Sequence, residues 1–294
     1  MNARVFTGSG VALATPFTQD SINLSALGKL IEWQIESGSD ALIACGTTGE
    51  PSTMTEEEKL EVIRFTVDTA AGRVPVIAGV GGNDTRETVA MSIKAQALGA
   101  DGLLAVTPYY NKTTQRGLVA HFLAIAEAVE LPIIIYNVPV RTGLNMLPET
   151  LCQLSQHPNI CGMKEASADI TQITEMMRLC GERIALYSGC DDHVLPLLSL
   201  GGQGVISVVA DIAPREMHDL VATFLAGDTA RSRELQFRLN PLTKQLFTEV
   251  NPIPVKTALR LMGYDMGPLR LPLVDMAEAN LTNLTKAMKE FGLL

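Results

Sequence analysis

Eight short apolar runs recur along this 294-residue chain, and no other feature narrows its fold as much. They are GVALAT (10–15), DALIACG (40–46), PVIAGVG (75–81), DGLLAVTP (101–108), PIIIYN (132–137), ICGMK (160–164), IALYSG (184–189) and GVISVV (204–209). Successive runs start about 20 to 35 residues apart, the beat of strands separated by helices. Each run is continuously apolar rather than alternating, which marks strands buried on both faces and hence a parallel sheet. The segments between them carry helical signals. Leu24, Leu27, Leu30, Ile31 and Ile35 share one face at helical spacing. Thr55 with Glu58 makes a capping box, and Asp84 with Glu87 repeats the pattern. Gly99 fits a C-terminal helix stop. Eight strand–helix units predict an α/β fold, a (β/α)8 TIM barrel, over residues 1–227. Residues 228–294 contain no strand-like run and read as a small C-terminal domain of three helices, bounded by Gly227, Pro252, Gly263 and Pro272.

Composition excludes several classes of function. The net charge of -9, with no basic cluster, argues against nucleic acid or an anionic membrane as partner. An anionic small substrate stays open if cations gather at one site. The N-terminal stretch lacks a charged start followed by a long apolar core, and no apolar run reaches spanning length. The five cysteines include no C-x-x-C pair and are odd in number, which fits reduced thiols in the cytoplasm. The four histidines lack ligand spacing, so the sequence supports no metal site. GVGGND (79–84) lacks the third glycine of a dinucleotide loop and reads as a turn.

In a barrel of this kind the active site lies at the C-terminal ends of the strands. The residues there are Thr15, Thr47, Thr48, Asn83, Thr107, Tyr109, Tyr110, Tyr136, Asn137, Lys164, Glu165, Ser188, Gly189 and Ser207. The list holds hydroxyls and one lysine, without a cofactor signature. A strand-end lysine is ordinarily just the point where a strand meets water. At a barrel mouth, with no phosphate loop or metal beside it, Lys164 suits imine chemistry with a carbonyl substrate. Its pKa must then fall from about 10.4 toward neutrality, a shift of about three units costing roughly 4 kcal/mol, which an apolar wall can impose. The structural alternative is a Lys164–Glu165 salt bridge, which successive strand residues facing opposite ways make difficult. Tyr136, on the neighbouring strand, suits proton transfer, or else simply a phenol at the core's rim. GTTGE (46–50) offers backbone N–H groups for a carboxylate, or an ordinary loop. Arg141 suits a bidentate grip on a second carboxylate, or a solvated loop position.

GTTGE, TPYYN (107–111), YNVPVRTG (136–143), GMKEAS (162–167) and NPIPVK (251–256) together resemble the dihydrodipicolinate synthase family. That family sits within the pyruvate-dependent aldolases, which include N-acetylneuraminate lyase. The resemblance runs from about Phe6 to the last leucine. It implies a lysine–pyruvate imine on Lys164 and no separate cofactor or metal. It implies Tyr136 as general acid/base, with Thr47 and Tyr110 completing a proton relay. Thr47 and Thr48 would hold the pyruvate carboxylate, and Gly189 and Ile206 would line the pocket. Tyr110 would enter a neighbouring subunit's site, so that the working unit is a dimer, paired into a homotetramer. Arg141 would bind the carboxylate of aspartate 4-semialdehyde, which favours condensation of that aldehyde with pyruvate on the route to lysine and diaminopimelate. The alternative is a related aldolase for a sugar-derived keto acid such as N-acetylneuraminate, whose enzymes typically lack that arginine. Members inhibited by lysine bind it in an interface cleft matching Pro51, Ser52, Glu56, Lys59, Asn83, Glu87 and Tyr109. Sensitive members typically carry a histidine where this chain has Lys59, so weak or absent inhibition is expected.

Overall fold

A computed structural model of the chain describes residues 4–294. Eight parallel strands close into a barrel: β1 (Gly8–Ala12), β2 (Ala41–Ala44), β3 (Val76–Gly79), β4 (Gly102–Val106), β5 (Ile133–Asn137), β6 (Ile160–Glu165), β7 (Ala185–Ser188) and β8 (Gly204–Ser207). Each strand pairs with the next in sequence, and β8 closes onto β1. All eight apolar runs form strands, the first beginning two residues earlier than its run. Every strand residue is buried except Gly79 and Val106, which are half-buried.

Alternation along the strands divides their side chains between two cores. Ile43, Ile77, Leu104, Ile134, Tyr136, Tyr187 and Ile206 pack together inside the barrel. Leu42, Leu103, Ile135, Met163 and Leu186 belong to the outer core, against the helices. The register between β5 and β6 shifts at Ile133/Ile134 and then runs in step, pairing Tyr136 with Lys164 and Asn137 with Glu165. Tyr136 and Lys164 therefore point inward together.

The helical layer comprises α1 (Leu24–Glu36), α2 (Glu56–Ala70), α3 (Thr85–Ala97), α4 (Gln115–Glu127), α5 (Pro139–Thr142), α6 (Pro148–Leu154), α7 (Ile170–Cys180), α8 (Val194–Ser199) and α9 (Pro214–Leu225). Thr55 and Glu58 form the full reciprocal capping box of α2. At α3 only half of the expected box exists. Asp84 accepts from the N–H groups of Arg86 and Glu87, while the Glu87 side chain is exposed and returns no bond. Gly99 follows α3 at φ +85, the left-handed stop that suits glycine. Among the described residues, no helix is long and apolar enough to cross a membrane.

Three more helices follow: α10 (Thr229–Leu246), α11 (Ile253–Leu261) and α12 (Glu278–Phe291). They hold directly onto the barrel. Ser232 donates to the Leu220 carbonyl at 2.8 Å. Gln236 reaches the segment after β7, accepting from Leu195 N–H at 3.0 Å and donating to the Asp191 carbonyl at 2.9 Å. Lys256 on α11 pairs with Glu50, at the end of the GTTGE turn, at 2.7 Å.

Candidate active site

Strand alternation decides the surroundings of the Lys164–Glu165 dipeptide. Glu165 faces outward, accepts from Asn137 Nδ2 at 3.0 and 3.2 Å, and accepts from Ser167 N–H at 2.6 Å. The salt bridge between the two neighbours does not form, and among the described residues Lys164 has no ion-pair partner. Lys164 faces the lumen and is 5% exposed. Burial lowers its pKa from 10.5 to about 8, against the pull of Asp191, Cys190 and Asp211, and Arg141 adds to the lowering. A fraction of the amine is thus neutral near pH 7.5. Gly189 leaves room for this side chain: a Cβ there would lie 3.2 Å from Lys164 Cε and 2.7 Å from Ala166 Cβ.

The Lys164 ammonium lies 4.4 Å from the Tyr136 ring centroid. Burial pushes the phenol up to about 12, so it is protonated at neutral pH. Arg141 and the hydrogen-bonding Thr47 side chain pull it the other way. Thr47 belongs to a single 3-10 turn, Thr47–Gly49, that follows Gly46 and is closed by Glu50 in the left-handed region at φ 58. Thr48, buried behind Thr47, accepts from Asn251 Nδ2 at 3.1 Å. Arg141, on the four-residue helix α5, donates to the Asn251 carbonyl at 3.2 Å.

Thr47, Tyr136 and Arg141 line one cavity of about 240 Å³, together with Pro51, Ser52, Lys59 and Tyr109. Gly189, just after β7, and Ile206, on β8, belong to the strands on the other flank of Lys164 from Tyr136. The structure thus gathers Lys164, Tyr136, Thr47, Thr48, Arg141, Gly189 and Ile206 at one barrel mouth. Tyr110 stands apart from them. It is 89% exposed, at φ 66, and does not line the cavity. The cleft residues are also divided. Ser52, Lys59 and Tyr109 line the cavity, whereas Glu56 pairs with Lys94, Asn83 accepts from Asn111 Nδ2 at its carbonyl, and Glu87 is exposed on α3. Lys59 has no ion-pair partner among the described residues.

Sequence reasoning assigned no role to several buried polar groups around this mouth. Glu50 and Lys256 form an ion pair with side chains 1% and 0% exposed. Asn251 bridges Thr48 and Arg141. The motifs GTTGE and NPIPVK contain all three, but their partnership spans about two hundred residues that no local pattern connects. Cys190, Asp192 and His193 bring a thiol, a carboxylate and an imidazole within 4.8 Å of one another. Burial, with the neighbouring Asp192 and Asp191 charges, pushes that thiol up to about 12, and the Asp192 carboxylate is exposed.

A closed parallel barrel whose mouth sets a desolvated lysine against a phenol is a (β/α)8-barrel enzyme. The model of the dihydrodipicolinate synthetase family matches residues 5–291, and the chain belongs to that family. It is 58% identical over 291 residues to the 4-hydroxy-tetrahydrodipicolinate synthase of Thermoanaerobacter pseudethanolicus, covering 99% of this chain and 98% of that one. Among solved structures it is similar to the chloride-inhibited dihydrodipicolinate synthase of Acinetobacter baumannii complexed with pyruvate. That match has 44% identity and a TM-score of 0.96 over 98% of this chain and 99% of the other. The enzyme of Cyanidioschyzon merolae with lysine bound matches at 42% identity and a TM-score of 0.96, over 99% of this chain and all of the other.

Proposed function

We propose that this lyase condenses pyruvate with L-aspartate 4-semialdehyde to 4-hydroxy-tetrahydrodipicolinate through an imine on Lys164. The observation that carries the reading is the pairing of a buried lysine, its pKa lowered to about 8, with Tyr136 and Arg141 at one mouth. The neutral Lys164 amine attacks C2 of pyruvate, and the carbinolamine loses water as Tyr136 moves protons through Thr47. The iminium draws electrons from the methyl carbon, which loses a proton and becomes an enamine. That carbon attacks the aldehyde, whose distal carboxylate Arg141 holds. The amino group of the adduct then displaces Lys164 from C2, closing the ring and freeing the enzyme. The imine is the electron sink, so the chemistry needs no cofactor.

Thr47 and Thr48 hold the pyruvate carboxylate in this reading, and Gly189 and Ile206 line the pocket. The exposed Tyr110 completes the relay of a neighbouring copy, within a homotetramer in the cytoplasm. The last three helices form a domain, residues 228–294, that buttresses the GTTGE turn. The relatives named as synthases and the presence of Arg141 support this reading over a sugar-acid aldolase. Turnover on pyruvate with aspartate semialdehyde, compared with cleavage of N-acetylneuraminate, tests it. The synthase reaction should dominate, and efficient N-acetylneuraminate cleavage without it would overturn the assignment.

A further inference from the structure

Two carboxyl groups that the proposed reaction does not use are sunk beneath the mouth. Asp191 opens the turn after β7 and is 2% exposed, and Asp211 follows β8 and is fully buried. Asp191 Oδ2 accepts from the N–H groups of Val208 at 3.1 Å and Val209 at 3.3 Å. Asp211 Oδ1 accepts from Ala14 N–H at 3.0 Å. The other oxygen of each, Asp191 Oδ1 and Asp211 Oδ2, has no partner. Such oxygens are costly in an apolar interior unless a nearby charge uses them. In the closed barrel β7 flanks β6 on the side away from β5. The two carboxyl groups therefore follow strands on one side of Lys164, and the Tyr136 phenol stands on the strand on the other.

We propose that Asp191 is the fixed counter-charge of this site: it stays ionised beside Lys164 and stabilises the cation formed when that nitrogen becomes a protonated imine, while Asp211 carries the proton the two carboxyl groups share. The proposal rests on the reading that Lys164 forms the imine. It makes Asp191 a positioning residue, since it takes no proton and acts through Lys164. Among the groups around the lysine that raise its pKa, Asp191 comes first. The division of protons follows from the donors. Burial raises the Asp191 pKa, and the Ser207 side chain, the two backbone N–H groups and Lys164 pull it back toward the anion. Asp211 has one N–H, and burial first, with the nearby Asp191 charge adding to it, drives its pKa well above the usual carboxylate range. Lys164 is faced by Asp191 and Cys190 from the turn after β7, Asp211 from beyond β8, Arg141 from α5 and Tyr136 from β5. Cys190 is a neutral thiol, Tyr136 is a neutral phenol, and Arg141 repels the lysine charge. Asp191 is thus the anion left to balance a buried iminium, which has far less water around it than an exposed cation.

The test compares pH profiles of kcat/KM for pyruvate. Only the neutral amine attacks, so the profile rises as pH passes the Lys164 pKa, and an anion beside the lysine holds that rise at higher pH. Asp191→Asn should move the rise about one pH unit lower. Asp211→Asn, which replaces a neutral acid with a neutral amide, should leave its position in place. An unmoved profile in Asp191→Asn, or an equal move in Asp211→Asn, would overturn the assignment. Should Asp191→Asn fail to fold, Asp191→Ser carries the same test, because it leaves space for a water on the Val208 and Val209 amides. Borohydride trapping of wild type with pyruvate separates the two levels of inference. No adduct on Lys164 removes the imine and the counter-charge together, whereas an adduct with an unmoved Asp191→Asn profile removes the counter-charge alone.

Discussion

Replacing Lys256 with methionine should loosen the active-site turn from beneath, through its contact with Glu50. Lys256 Nζ donates to Glu50 Oε1 at 2.7 Å and to the Pro268 carbonyl at 3.1 Å, and it lies 4.3 Å from the Phe17 ring centroid. Glu50 Oε2 accepts from Arg270 N–H at 3.2 Å. Lys256→Met fills similar space and removes the cation, leaving a buried carboxylate with one backbone donor. Removing one partner of a buried pair costs about 3–5 kcal/mol. At roughly 2 °C per kcal/mol for a chain of this size, the melting temperature should fall by about 6–10 °C. Glu50 already sits in the left-handed region at φ 58, at the end of the turn that carries Thr47. Its carboxylate can reach water only by moving that turn, so turnover should fall with stability. The Glu50→Gln/Lys256→Met double variant should regain most of the lost stability, because neither charge is then left buried alone. Calorimetry and steady-state kinetics at one protein concentration measure both effects. A single variant within about 1 kcal/mol of wild type would refute the reasoning.

Lys164→Met should abolish turnover and, below pH 8, stabilise the fold by about 3 kcal/mol, since burial lowers the lysine pKa from 10.5 to about 8. Between those two values the unfolded chain holds a proton that the folded chain has released, so wild-type stability should rise with pH across that window relative to the variant. Parallel urea-unfolding stabilities at pH 7 and pH 10 would contradict this. Arg141→Ala should lower kcat/KM for aspartate semialdehyde by roughly 10- to 100-fold while pyruvate adduct formation persists, and equal loss of both would give Arg141 another role. Lysine titrated at saturating pyruvate should inhibit weakly or not at all, because the Lys59 ammonium lines the cavity without an ion-pair partner among the described residues and Glu56 is engaged by Lys94. Strong inhibition at submillimolar lysine would contradict that expectation.

Much of the fold was legible because its signals are local. A continuous apolar run such as PIIIYN specifies a strand buried on both faces, and eight such runs leave few architectures open. The Thr55 capping box, too, is complete within four residues. The inward direction of Lys164 and Tyr136 followed from strand-end position and alternation, and the structure pairs them in register. The Asp84–Glu87 pattern misled by half, because a three-residue spacing does not fix whether the glutamate side chain turns back. Glu50 with Lys256, and Asp191 with Asp211, were not legible as partners. Each residue looks like an ordinary surface charge in sequence, and only barrel closure and the return of α11 bury it. The proximity of Asn251 to both Thr48 and Arg141 likewise exists only in three dimensions.

The central claim is that Lys164, among all the lysines of the chain, becomes covalently bound to pyruvate. Incubating the wild-type protein with pyruvate and borohydride, digesting it and mapping the mass adduct tests this directly. The account predicts one stable adduct on the peptide containing Lys164 and none in Lys164→Met. No adduct, or an adduct on another lysine such as Lys59, Lys112 or Lys256, would contradict it.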